Sequence, residues 1–150
     1  MYGFIWLEGL LPVATPSSKG LSTNNLCVVD IPNPNNRVLK IAKSTNDTYF
    51  RTLILITVYF NGYFALVTLG LAHTTQNKNC CKIEEQFKGG INVKEDNAGN
   101  VYIYSNSVNN QQFCVTFAGS TLNRTDIGSV STISKSEFDS ISTTDVEQYA

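Results

Sequence analysis

The residues best suited to chemistry are few: Cys27, Cys80, Cys81 and Cys114, one histidine at His73, and the carboxylates Glu84, Glu85, Glu95 and Asp96. No two cysteines form a C-x-x-C pair, and adjacent Cys80 and Cys81 are badly placed to fill two corners of one tetrahedral zinc site. One histidine leaves no partner for a mixed site, so no metal is expected. A hydroxyl or thiol nucleophile needs a base within hydrogen-bond reach. His73 is the one imidazole, and at the end of an apolar run it reads as a capping or interface residue. There is no G-x-S-x-G motif and no phosphate-binding glycine loop, and Gly89-Gly90 reads as a strand break or bulge. Adjacent carboxylates on a strand point to opposite faces, so neither Glu84-Glu85 nor Glu95-Asp96 converges as the acid pair of a glycosidase would. The chain reads as a binding protein and not an enzyme, with no catalytic residue and no cofactor.

Its aromatic residues are better placed for recognition. Tyr102 and Tyr104 share one face of a strand, and Tyr49, Tyr59 and Tyr63 lie near a hairpin. Tyrosine presents an apolar ring and a polar tip, which suits both sugar stacking and subunit contacts. Tyr63, Tyr102 and Tyr104 are therefore the candidate glycan or subunit contacts, against ordinary packing as the alternative.

The elements that must position these groups are strands. The apolar runs Thr52 to Phe60 and Tyr63 to Ala72 are joined by Asn61-Gly62. That dipeptide is the strongest short-range hairpin signal, because a type I′ turn needs positive φ at both central residues. β-branched and aromatic residues crowd both runs, which predicts a central hairpin with at least one strand buried on both faces. Further strands are expected at Leu26 to Ile31, Arg37 to Ala42, Cys81 to Phe87, Gln112 to Phe117 and Val130 to Ile133. A second hairpin is expected from Ile91 to Glu95 and Val101 to Tyr104, with Val101 and Ile103 on one face and Tyr102 and Tyr104 on the other. No segment carries helical periodicity over three turns. About eight short strands with turn signals between them predict an all-β fold, a β-sandwich of jelly-roll type.

The chain has 150 residues, enough for one domain with a real core. Only 15% of residues are charged and the net charge is −1, so nothing draws the protein to a nucleic-acid backbone or an anionic membrane. Residues 53–72 approach membrane-spanning length, but their Asn-Gly centre suits a hairpin, and no membrane insertion is expected. Cys27 and Cys114 sit in strand contexts where a free thiol acts as a small hydrophobe, and disulfides stay open.

Three regions are expected: an anchor and linker at 1–23, a sandwich head domain at 24–133, and a polar tail at 134–150 that is weakly ordered or forms a short helix. The first carries Phe4, Ile5, Trp6, Leu7, Leu10 and Leu11 ahead of a segment rich in proline, serine and glycine. It lacks the basic n-region of a signal peptide and carries Glu8 in its apolar stretch. Exposed apolar groups this large need cover. Those six residues are the candidate assembly interface, and folding back onto their own domain is the alternative.

Leu11-Pro-Val-Ala-Thr-Pro-Ser-Ser-Lys-Gly-Leu21 resembles the LP-x-AT-x-x-x-x-G-L segment that precedes the distal domain of bacteriophage tail and baseplate fibres. The order that follows is similar to the C-terminal head domains of phage fibres: Arg37 to Ala42, a long apolar hairpin, Ile91 to Glu95, Asn100 to Tyr104, and Phe113 to Phe117. The resemblance covers roughly residues 11–120. It implies a homotrimer of jelly-roll-like domains attached to other virion proteins by an N-terminal segment, with receptor recognition at the tip in many members; a host-surface glycan is then an expected partner. It departs from the family in having almost no shaft before the head and no counterpart for residues 134–150. The expected function is that of a virion structural protein, a tail- or head-fibre or decoration subunit assembled in a bacterial host. The alternative is a secreted bacterial carbohydrate-binding β-sandwich module.

Overall fold

The structure, a computed structural model, describes residues 28–31, 36–43, 51–72, 78–86, 89–106, 111–119 and 129–149; at residues 28–31, 51, 118 and 119 it describes the backbone alone. At the centre is the expected hairpin. Strands β3 (Arg51–Phe60) and β4 (Tyr63–Ala72) pair along their whole length, from Arg51 opposite Ala72 to Phe60 opposite Tyr63. Asn61 (φ 49°) and Gly62 (φ 81°) make the turn between them, as a type I′ loop requires.

The remaining strands are β1 (Val28–Ile31), β2 (Arg37–Ile41), β5 (Cys80–Glu85), β6 (Ile91–Asp96), β7 (Val101–Ser105), β8 (Gln111–Gly119), β9 (Val130–Ser134), β10 (Thr143–Asp145) and β11 (Glu147–Gln148). One sheet has the order β1-β8-β3-β4-β5-β11 and the other β10-β6-β7-β2-β9. The fold is an all-β sandwich. β1 pairs with β8 and β2 with β7, both antiparallel, which is the nested pairing of a jelly roll. The middle of the chain departs from that nesting: β3, β4 and β5 form a meander, and β6 folds back on β7.

Alternation explains the core. Ile54, Ile56 and Val58 on β3, Ala65, Val67, Leu69 and Leu71 on β4, and Phe113, Val115 and Phe117 on β8 all point inward from the six-stranded sheet. Leu39, Ile41, Val93, Val101 and Ile103 meet them from the other sheet. The hairpin alternates buried and exposed through most of its length, and only 69–72 of β4 is buried at every position. Complete burial on both faces instead marks the middle of the five-stranded sheet, where Val38, Leu39, Val101, Tyr102 and Ile103 are all enclosed.

The cover over that sheet comes from residues 134–149, expected as a weak tail or short helix. Ser134 caps helix α1 (Lys135–Asp139), its hydroxyl accepting from the Glu137 amide at 3.1 Å. Ser134 and Glu137 stand at capping-box spacing. Phe138 points from α1 onto the outer face of the five-stranded sheet, with ring centroids 5.4 Å from Tyr102 and 5.0 Å from Tyr104. The chain then crosses the sandwich. β10 pairs with β6 of one sheet, β11 pairs parallel with β5 of the other, and Val146 between them is buried in the main core. The Val146 amide donates to the Val93 carbonyl at 3.1 Å, and the Tyr149 amide to the Cys81 carbonyl at 3.0 Å. Residues 143–149 are thus part of the sandwich, a strap joining the edges of both sheets. They escape sequence reading because Val146 is the one apolar residue between Thr143 and Gln148. Their strand character comes from the edges they pair with.

Candidate functional site

The sequence-derived candidates separate sharply. Phe4, Ile5, Trp6, Leu7, Leu10 and Leu11, with His73 and Cys27, lie outside the described residues. Tyr102 does not qualify as a surface contact: it is 1% exposed, enclosed beneath α1. Alternation correctly separates Tyr102 and Tyr104 from Val101 and Ile103, but gives no sign that a helix from distant residues covers their side. Tyr104 is half-buried against Phe138, with the Lys135 ammonium 5.2 Å above its ring. Tyr63 remains at the surface, 37% exposed.

Around Tyr63 the structure gathers aromatic groups that the sequence reading left apart. The two-residue turn sets Tyr59 directly opposite Phe64 and Phe60 opposite Tyr63. Phe60 faces the core and its ring lies 6.2 Å from that of Tyr63. Tyr59 and Phe64 project from the other side, 53% and 55% exposed. Phe64 is the exposed ring that sequence reasoning missed. The signal was present: counting outward from Asn61-Gly62 with Ile54, Ile56 and Val58 inward places Tyr59 and Phe64 outward as a cross-strand pair.

That pair is one end of a longer apolar surface. Leu53, Leu55 and Tyr59 on β3 and Phe64 and Leu66 on β4 share the outer face of the six-stranded sheet, with Thr57, Thr68, Cys114 and Thr116 among them. Leu53 is 38% exposed and Leu55 and Leu66 are half-buried. Among the described residues no helix or strand lies over this face. Single exposed hydrophobes are ordinary on a protein surface, whereas a contiguous group on one rigid face marks an interaction site.

The carboxylates have structural duties. Asp96 closes the turn between β6 and β7. Its Oδ1 accepts from the Ala98 and Asn100 amides at 2.9 and 3.0 Å, and its Oδ2 from the Asn100 side-chain amide and the Tyr102 hydroxyl, both at 2.9 Å. Burial alone pushes Asp96 upward, but these donors outweigh it and hold the carboxyl below its ordinary pKa. Tyr102 is pushed up to about 12, first by burial and then by its bond to the charged Asp96. Glu95 accepts from the Asn79 side-chain amide at 2.7 Å, and Asn79 in turn accepts from the Ala72 amide and donates to the Gly99 carbonyl. Glu85 accepts from the amides of Gly89, Gly90 and Ile91, organising the loop into β6.

Glu95, Asp96, Asp145 and Glu147 line a cleft of about 450 Å³ together with Lys43 and Lys78. Asp145 is held by Lys94 at 2.6 Å. Glu95, Asp96 and Asp145 are thus each already paired within the cleft. Among the described residues no three histidine, cysteine, aspartate or glutamate side chains gather to hold a metal ion. Among the described residues Cys80, Cys81 and Cys114 form no disulfide. Burial, with lesser help from Cys80, Glu95 and Asp145, raises Cys81 to about 11, which keeps it protonated and unreactive at neutral pH.

Comparison with known protein families, curated proteins and solved structures finds no match to this chain.

Proposed function

We propose that this protein is a binding and assembly subunit of a bacteriophage particle, a fibre or decoration component that acts as a homotrimer and presents the end of its central hairpin to a host-surface glycan. The observation that carries the binding reading is the exposed cross-strand pair Tyr59 and Phe64 on the outer face, with Tyr63 exposed on the other side of the same hairpin end, set by a tight turn on a rigid two-sheet scaffold. Rings of this kind offer large contact area with little conformational freedom to lose on binding. The virion setting rests on the sequence resemblance over residues 11–120, and residues 1–23 are the segment that docks on or organises the particle. Three such ends on one trimer would act multivalently, turning weak individual contacts into useful avidity.

The test is the absolute mass in solution, by light scattering, of the full chain and of a chain lacking residues 1–23, followed by glycan-array binding of the wild type and of Phe64→Ala. The expected result is a trimeric full chain whose glycan binding falls at least tenfold in Phe64→Ala without loss of fold. A trimer that falls apart on truncation assigns assembly to residues 1–23, and a trimer that survives assigns it to the sandwich. A monomer in both cases overturns the virion subunit. If that monomer still binds glycans, the protein is a free-standing carbohydrate-binding module.

A further inference from the structure

We infer that the slot between the edges of β5 and β6 is a receptor for an extended peptide, and that residues 143–149 of a second copy of this chain occupy it in exchange for the chain's own. The slot holds its occupant mainly by the backbone. Thr143, Thr144 and Asp145 lie opposite Asp96, Glu95 and Lys94 of β6, and Glu147 and Gln148 lie opposite Cys80 and Cys81 of β5. Val146 is the single buried side chain of the strap, 3% exposed, whereas Thr144, Asp145, Glu147, Gln148 and Tyr149 face water. Main-chain pairing at a sheet edge, with a side-chain pocket to fix the register, is how folded domains take up a peptide strand. The rim adds a preference of charge. Asp145 meets the Lys94 ammonium at 2.6 Å, and Lys43 and Lys78 line the adjoining cleft with Asp145 and Glu147. Glu95 and Asp96 also line that cleft, but Asn79 engages the first and Asn100 and Tyr102 the second.

Nothing in the topology ties a slot to the strap of its own chain. Tight turns join β3 to β4 and β6 to β7 and so decide which strands pair. No such turn serves the strap: β7, β8, β9 and α1 intervene between β6 and β10, and β11 runs parallel to β5, a pairing that a hairpin cannot make. The link from α1 to β10 is Ser140, Ile141 and Ser142. Ile141 is held, its amide donating to the Phe138 carbonyl at 2.9 Å and its side chain packing on the cluster around Phe138. Ser142 is therefore the point at which the strap turns towards a neighbour, and so short a link joins copies that lie flank to flank at the slot. Release of the strap gives up one buried valine and the pairing of two short strands. It leaves Ile54, Ile56, Val67 and Leu69 facing Leu39 and Ile103 across the sandwich, so it is a local opening and not global unfolding. Seating in a second copy restores every contact that was given up, because the second slot is identical. Exchange of an identical element is the low-cost route to linking copies, and around a closed pair or ring it fills every slot. It requires a second copy of the chain and nothing else of the function proposed above.

The native Lys94–Asp145 pair reads out the exchange. A carbodiimide activates the carboxylate, the adjacent amine displaces the resulting urea, and the contact becomes an isopeptide bond with no spacer. Full chains of natural isotopic abundance and full chains labelled with nitrogen-15 are mixed in equal amounts, unfolded and refolded together at high concentration, coupled and digested. Mass spectrometry then weighs the peptide pair that joins residue 94 to residue 145. The expected result is a mixed-isotope fraction that rises towards half of the joined pairs as exchange becomes complete, and that falls when refolding is more dilute. Joined pairs of a single isotope only would show each slot keeping its own strap, and the absence of any joined pair would show the slot not holding the strap at all; either overturns the inference. Val146→Asp removes the anchor and should abolish the mixed pairs, with Val146→Ala, expected to lower them several-fold, in its place should circular dichroism find the first unfolded. Mixed pairs undiminished by the loss of the anchor come from surface collision and also overturn the inference. None of these readouts depends on the virion reading, which stands or falls on mass and glycan binding.

Discussion

Tyr102 joins two parts of the molecule through a single side chain. Its ring fills the space beneath Phe138, while its hydroxyl donates to the carboxylate that organises the β6–β7 turn. Tyr102→Phe keeps the ring and removes the donor. A hydrogen bond to a charged group is worth roughly 1.5–3 kcal/mol, and Asp96 retains its other donors, so a loss near the lower end, about 1–2 kcal/mol, is expected in urea denaturation at neutral pH. The Asp96 carboxyl should titrate closer to its ordinary pKa in this variant, which carboxyl-carbon NMR would read. A second expectation concerns alkaline pH. Cys81 and Tyr102 are acids whose folded pKa values, about 11 and about 12, lie above their ordinary 9.0 and 10.0. The unfolded chain therefore ionises first. The stability these two groups contribute is intact below pH 9 and declines as pH rises through the folded values. Cys81→Ala should remove the earlier part of that decline and Tyr102→Phe the later part, as followed by melting temperature across the range.

At the scale of elements, α1 matters more than its five residues imply. It is too short to be stable alone, and what holds it is the Ser134 cap and the packing of Phe138. Phe138→Ala should cost about 3 kcal/mol or more and expose Tyr102 and Tyr104 together. Enhanced tyrosine quenching alongside the stability loss would verify that one helix covers both. Much of the element pattern was legible beforehand. Asn61-Gly62 defines the central hairpin, and strict alternation separates Val101 and Ile103 from Tyr102 and Tyr104. The covering of Tyr102 was not legible, because the period of a strand reports which side a residue takes and not what a distant helix places there. Residues 143–149 were hidden for a related reason. Thr143–Asp145 and Glu147–Gln148 lack apolar alternation, and they are strands because β6 and β5 offer them unpaired edges.

The whole molecule is held together by contacts between residues distant in sequence. β1 meets β8, β2 meets both β7 and β9, and Gln111 on β8 reaches across to the other sheet, accepting from the Ser105 amide at 3.0 Å and donating to the Arg37 carbonyl. A chain built this way must close long loops before most of its pairings form, which makes slow folding the natural expectation. The strap illustrates how far this cooperation extends. A chain lacking residues 143–149 would lose Val146 from the core and strip β5 and β6 of their edge partners β11 and β10. It should be several kcal/mol less stable, on the scale of losing a buried side chain together with its strand pairing, as read by thermal and urea unfolding. The candidate site, in contrast, was only half visible at this scale. Its hairpin and Tyr63 were read from the sequence, but Phe64 became part of it only once register set it opposite Tyr59.

The strap has a temporal meaning as well as an architectural one. On the ribosome, β5 and β6 emerge some fifty residues before the segment that clasps them. Throughout that interval two neighbouring strand edges stand unclaimed on one flank of a forming sandwich, and nascent copies of the same chain on one message carry the same bare flank side by side. Residues 143–149 therefore close within the chain, and late in its synthesis, two strand edges of the kind that otherwise template pairing with another copy.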